Sequence, residues 1–181
     1  MKHFRTRIAG LPAALVAAFL AAFTAACASS AVIQSESPGT PLIGLDGQRI
    51  GSVEFFEGER GVVVELTVVG LEEGLHGIHV HETGRCEAPF KSSGSHFAPG
   101  GRDHGFLSAT GPHAGDLPNL FVGEDDERTE AHFFLSGVSV SALGDADGAA
   151  LVIHAGTDDY RSDPAGAAGD PVACAVIAAP R

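Results

Sequence analysis

Positive charge is scarce in this sequence: 11 Lys and Arg stand against 23 Asp and Glu, a formal charge of −12. That balance excludes the binding of nucleic acid through its phosphate backbone and weighs against anionic lipid surfaces, since both need a cationic face. Tryptophan is absent, tyrosine and methionine occur once each, and cysteine occurs three times. A long apolar run is missing too. The apolar stretch from Leu11 to Ala26, which carries no charge, is shorter than the roughly 20 residues a spanning helix needs, so no permanent membrane helix is expected. Beyond it, no window holds a helical period over three turns. Against these shortages stand 24 Gly, 9 His and a hydrophobic fraction of 44% in 181 residues. Such a chain fills one core and makes one domain, two at most. Histidine is seldom used merely to fill space, so its abundance points to metal or acid/base chemistry.

The two ends of the chain differ in kind. Lys2, Arg5 and Arg7 precede the apolar run, and Cys27 follows it, which reads as an export signal over residues 1–26. Thr24-Ala25-Ala26-Cys27 is similar to a bacterial lipoprotein cleavage site, which would lipidate Cys27 and attach the protein to a membrane. Thr24 stands where Leu or Val is usual, and ordinary cleavage nearby is the alternative. Loss of the segment removes three basic residues and no acidic one, leaving 8 against 23 and a formal charge of −15. Residues 27–40, rich in Ser, Pro and Ala, suit a flexible tether. The folded body is expected over 41–181. With Cys27 accounted for, Cys86 and Cys174 remain as a pair, and in an exported chain a disulfide is the default. Chain-entropy models give such a loop about 4 kcal/mol.

Strands are expected at Leu42-Ile43, Ile50 to Phe56 after an Asp46-Gly47 turn, Gly61 to Val69, Leu75 to His81, Ala131 to Val140 and Ala149 to His154, each β-branched or bounded by Gly or Asp. The class is all-β, an antiparallel sandwich or barrel. His81 to Leu120 and His154 to Cys174 are long and Gly-rich, and loops of that length in a compact domain are usually functional.

Those loops and their flanks hold most of the histidines. His79 and His81, two apart on an expected strand, leave the same face and could share a metal, although such a pair alone fits a surface or core position as well. His96, His104, His113 and Asp116 follow in the first loop, and His154 ends a late strand. Six His and one Asp could make two sites, a nitrogen-rich one suited to Cu(II) and a mixed His/Asp one suited to tetrahedral zinc.

Gly74-Leu75-His76-Gly77-Ile78-His79-Val80-His81, Gly94-Ser95-His96-Phe97, Gly111-Pro112-His113-Ala114-Gly115-Asp116-Leu117-Pro118-Asn119-Leu120 and Ala173-Cys174-Ala175-Val176-Ile177 together resemble copper/zinc superoxide dismutase of the bacterial, exported type, in order and over nearly the whole body from Pro41 onward. The resemblance implies an immunoglobulin-like Greek-key sandwich or barrel with two functional loops, dismutation of superoxide as the activity, and copper and zinc as cofactors. It implies copper bound by His79, His81, His96 and His154, and zinc by His96, His104, His113 and Asp116, with His96 bridging. Asp158 aligns with the family's outer acid that hydrogen-bonds one ligand of each metal, here His79 and His104, and Cys86 with Cys174 matches its disulfide. A periplasmic or cell-envelope location follows, and a homodimer stands open. His76 is expected to satisfy backbone groups, His132 to lie exposed beside Glu130, and the clusters Glu72-Glu73 and Glu124-Asp125-Asp126-Glu127 to be solvated turns.

The sequence departs from the family at one place. Gly169-Asp170-Pro171-Val172-Ala173-Cys174 puts Pro171 where the family has an Arg that attracts and anchors the anion at the copper mouth, and Ala175 replaces a usual Gly. Proline brings neither charge nor an N–H. Arg161, in the same loop, either compensates or is a surface residue. Three readings therefore compete: a superoxide dismutase with reduced rate, an exported copper-holding or copper-delivering protein with little turnover, and a zinc-stabilised sandwich without copper chemistry. The last leaves His79, His81 and His154 unexplained.

Overall fold

The computed structural model describes residues 39–124 and 128–178. The expected export signal, Cys27, most of the tether and Asp125 to Glu127 lie outside the described residues. Nine strands are present among the described residues: β1 Thr40–Gly44, β2 Arg49–Gly58, β3 Gly61–Val68, β4 Gly74–His76, β5 Ile78–His81, β6 Leu120–Val122, β7 Thr129–Ser136, β8 Ala149–His154 and β9 Pro171–Ala178. They form a seven-stranded sheet in the order β5-β8-β9-β1-β2-β3-β7 and a two-stranded one, β4-β6. Every strand pairing among the described residues is antiparallel.

Several boundaries differ from the sequence expectation. Thr40 already pairs with Val53, so the body starts one residue earlier. The stretch Leu75 to His81 is two strands in two sheets, broken at Gly77, where a Cβ would meet Ala168 Cβ at 2.7 Å and His79 Cε1 at 3.2 Å. The strand expected to run to Val140 ends at Ser136, and Val140 starts a one-turn helix, α1 Val140–Leu143, capped by the Ser139 hydroxyl; one turn carries no readable period. The second loop stops at Asp170, because Pro171 opens β9, an allowed place for a strand proline.

Period-two alternation sets the core. Val62, Val64, Leu66 and Val68 of β3 are buried together with Leu42, Val53, Leu135, Leu151 and Ile153. β8 is buried at all six positions, and its two faces meet different partners. Leu151 and Ile153 enter the main core, while Ala150 and Val152 pack with Phe90, Cys174 and Cys86. The disulfide between Cys86 and Cys174, with Cα atoms 5.6 Å apart, therefore fastens a covering loop over the outer face of β8.

Candidate metal centre

β5 and β8 place three histidines by register alone. Ile78 and Val80 point into the core, so His79 and His81 leave by the other face. Cross-strand partners share a face, and His79 pairs with Val152 and His81 with Ala150, so His154, two residues beyond Val152, joins them there. The first long loop is then laid along β5 by bridges between His81 and His96 and between His79 and Asp116. Hydrogen bonds from Phe97 N–H to Val80 O and from Val80 N–H to Gly115 O, each 2.8 Å, fix it.

Four buried ring nitrogens meet without any hydrogen-bond partner: His79 Nδ1, His81 Nε2, His96 Nε2 and His154 Nε2. Ligand atoms of these four residues lie within 4.8 Å of one another. The opposite nitrogen of three of the rings is committed elsewhere: His79 Nε2 to Asp158 Oδ2 at 2.8 Å, His81 Nδ1 to Gly94 O at 2.9 Å, and His154 Nδ1 to Gly169 O at 3.0 Å. Each partner is an acceptor, so each of these nitrogens carries the hydrogen and the inward one keeps its lone pair. Burial, and after it the mutual repulsion of neighbouring rings, holds His81 down to about 3. Burial likewise brings His79 to about 4, against the hydrogen bond it gives to Asp158, and His154 is lowered by burial first. A converging set of neutral imidazoles with bare, buried lone pairs costs free energy unless a cation occupies it. That donor set suits copper.

A second set adjoins the first. Asp116 Oδ1 lies 3.0 Å from His96 Nδ1, 3.1 Å from His104 Nδ1 and 3.3 Å from His113 Nδ1, and His113 Nδ1 is 3.3 Å from His96 Nδ1. Four donors bound tetrahedrally at zinc's usual bond lengths stand about 3.3 Å apart, so these spacings are the edges of such a polyhedron. Ligand atoms of His79, His96, His104 and Asp116 also lie within 4.8 Å of one another. His79 nevertheless belongs with the first set, because its one free nitrogen faces that centre and Asp158 holds the other. Among the described residues, only His96 offers one nitrogen to each set.

Asp158 ties the two sets together, accepting from His79 at 2.8 Å and from His104 Nε2 at 3.0 Å. Burial lowers His104, yet its bonds to Asp116 and Asp158 outweigh that and push it up to about 9. Burial raises both acids, and bonds from His104 together with His96 or His79 pull each well below the usual carboxylate range. Several residues that matter here were not assigned a role from sequence. Asn119 exchanges hydrogen bonds with Asp158 through both its side-chain amide and carbonyl, and its own N–H donates to Tyr160 Oη at 2.7 Å. Gly166, at φ 65°, lets the second loop approach so closely that a Cβ would fall on Asp158 Oδ1 and His104 Nε2. Asn119 stood within a quoted motif; nothing in the sequence distinguished Gly166 from other loop glycines.

His76 lies buried with Nδ1 2.8 Å from His154 O and Nε2 2.9 Å from Glu72 O, so it serves backbone groups. His132 is exposed, 3.5 Å from Glu65. Pro171 pairs with His154 across β8 and β9. Arg161 is exposed, its backbone N–H bonded to Asp159.

The depressed histidines predict how the metal-free protein responds to pH. His79, His81 and His154 stay unprotonated in the fold but take up protons in the unfolded chain below about 6.5. Their contribution is complete above that pH and is lost as pH falls toward 4 and below. His104 works oppositely: it is protonated in the fold, so its contribution is present below 6.5 and disappears as pH rises through 9. Urea midpoints of metal-free protein should peak near neutrality and fall more steeply on the acid side. A midpoint that rises between pH 6.5 and 4.5 contradicts the neutral-imidazole set.

The copper/zinc superoxide dismutase family model matches residues 49–177. The chain is 42% identical over 143 residues to superoxide dismutase [Cu-Zn] 2 of Aquifex aeolicus, covering 75% of this chain and 83% of that one. It is 40% identical over 140 residues to superoxide dismutase [Cu-Zn] of Caulobacter vibrioides, with 73% and 80% covered. The crystal structure of a SOD-like protein from Bacillus subtilis superposes with a TM-score of 0.72 at 33% identity, over 76% of this chain and 96% of that chain. All-β with a Greek-key barrel fold, an oxidoreductase with copper and zinc as its cofactors, the chain belongs to the copper/zinc superoxide dismutase family.

Proposed function

We propose that this protein dismutes superoxide, with copper held by His79, His81, His96 and His154 and zinc by His96, His104, His113 and Asp116. The observation that carries the reading is the His96 ring, whose Nε2 lies unpartnered in the first set while Nδ1 lies 3.0 Å from Asp116 in the second. When bound, copper supplies one-electron exchange, oxidising one superoxide to dioxygen and reducing a second, with two protons, to hydrogen peroxide, beside a zinc that has no redox chemistry. The chain's own part is orientation and proton handling. His96 is the ring that can hold a proton at Nε2 while Nδ1 stays in the second set, and release it to the departing product. Asp158 keeps His79 and His104 aimed, one toward each set. Superoxide consumption by protein loaded with both metals, set against copper affinity and transfer, tests the proposal. Tight copper binding with no consumption beyond that of the metal-free protein overturns it.

Pro171 favours a second reading, a copper-holding or copper-delivering protein with little turnover, because no guanidinium stands at that position. Electrostatic attraction of the anion by an Arg there is a family property, and the strongly negative chain repels superoxide overall. On the dismutase reading, Pro171→Arg should raise the rate by about tenfold at modest ionic strength, and the gain should shrink toward 1 M salt as the screening length falls to about 3 Å. If Arg161 already supplies the charge, Arg161→Ala will instead cost far more than a surface arginine does. Correctly folded, metal-loaded variants that both keep a low native rate leave neither residue governing approach and favour the copper-holding reading.

Export is part of the same proposal: residues 1–26 as signal, Cys27 as a lipidated anchor, 27–40 as tether and 41–181 as the working domain in the cell envelope. The Cys86–Cys174 disulfide supports an oxidising compartment. Mass analysis of the mature N-terminus decides between lipidation at Cys27 and cleavage nearby, and light scattering reads whether two copies associate.

A further inference from the structure

We propose that Ser93 is a positioning residue for His81, its buried hydroxyl serving as a second acceptor for His81 Nδ1–H beside Gly94 O and thereby reinforcing the tautomer and raising the electron-donating strength of that ring toward copper. The proposal rests on the assignment of His81 to copper made above.

Ser93 is fully buried and ends a short 3₁₀ turn, Lys91–Ser93, in the loop closed by the disulfide. Its Oγ lies 3.1 Å from His81 Nδ1 and 2.8 Å from Phe90 O. Gly94 O lies 2.9 Å from the same Nδ1. A hydroxyl has one hydrogen to give, and Phe90 O can only accept, so the hydrogen goes to Phe90 and a lone pair faces His81. The opposite arrangement, with the hydroxyl donating to Nδ1, would leave a bare ring nitrogen against the Gly94 carbonyl oxygen at hydrogen-bond distance. Nδ1 is thus surrounded by two acceptors and no donor. It must carry the hydrogen, shared in a three-centre bond, and Nε2 keeps the lone pair that lies unpartnered in the first set.

His81 differs in this from its neighbours. His154 has one carbonyl, Gly169 O, on its outer nitrogen, and His79 has the carboxylate of Asp158. Two neutral acceptors on Nδ1–H draw its hydrogen outward and leave more electron density at Nε2. A more electron-rich nitrogen favours the more highly charged Cu(II) over Cu(I). Ser93 therefore tunes the potential of the bound metal without touching it.

The test compares Ser93→Ala, which removes the acceptor, with Ser93→Cys, which leaves a weak one of similar size. In metal-free protein, nitrogen NMR should place the hydrogen of His81 on Nδ1, and in Ser93→Ala that hydrogen should exchange with solvent faster. With copper bound, Ser93→Ala should weaken Cu(II) affinity about tenfold, the low end for outer partners of a metal-ligating histidine, with Cu(I) affinity little changed. For a one-electron couple that is a potential higher by about 59 mV. Ser93→Cys should fall between native and Ala, and if the Ala variant does not fold it carries the test with a smaller shift of the same sign. A lowered melting temperature with unchanged potential and unchanged His81 exchange overturns the proposal, leaving the hydroxyl as no more than a tie to Phe90. Failure of the copper assignment shows separately: Cu(II) would then leave the His81 ring signals of the native protein undisturbed, while the metal-free exchange measurement still decides whether the Ser93 bond exists.

Discussion

Replacing His96 by alanine should cost the protein both metals together. Its two ring nitrogens belong to different sets, Nε2 among the buried unpartnered nitrogens and Nδ1 at 3.0 Å from Asp116 and 3.3 Å from His113. Losing an outer partner of a ligating histidine already weakens binding about 10–100-fold, so losing the ring itself should exceed a hundredfold at each site. The comparison is made with single-site changes. His113→Ala touches only the second set, and His81→Ala only the first, so competition with a chelator should show zinc weakened in one and copper in the other. His96→Ala should show both. A His96 variant that releases copper while holding zinc with native affinity removes the shared ring, and the bridge reading with it.

The residues around His96 also show what the sequence could and could not convey. His79 and His81 were legible as a same-face pair because a strand's period is two, and β5 holds them so. The meeting of His79, His81 and His154 was not, since it depends on Ile78 pairing with Ile153, a register that no local pattern encodes. His96, His104, His113 and Asp116 stand in a loop whose composition says only that it is Gly-rich, and the resemblance to a known family, not spacing, divided them into two sets. The break at Gly77 is hidden in the sequence, where Leu75 to His81 carries an uninterrupted strand pattern, and the close approach of Ala168 that requires a glycine there comes from more than ninety residues away. The same holds for Ser93 and Gly166. Each is an ordinary small residue until the loop it sits in lands on a histidine.

Reduction of the Cys86–Cys174 bond and removal of metal should each destabilise the domain, and the two losses should be coupled. The bond closes a loop of sequence separation 88, for which the chain-entropy model gives between about 4 and 5 kcal/mol. At about 3 to 4 °C per kcal/mol for a domain of this size, the melting temperature should fall by roughly 12 to 20 °C on reduction. The segment from Cys86 to His96 is held at one end by the disulfide, along its length by Ser93 and Gly94 against His81, and at the other by the metal sets. In the reduced protein, binding metal must also order this segment, so metal binds more weakly there. By linkage, reduction must then cost more in the metal-loaded protein than in the metal-free one. Melting of all four forms, oxidised and reduced, loaded and stripped, measures the difference. Equal losses would mean that the disulfide and the metals hold independent parts of the fold, and melting that is unchanged after verified reduction and chelation would remove both from the account of its stability.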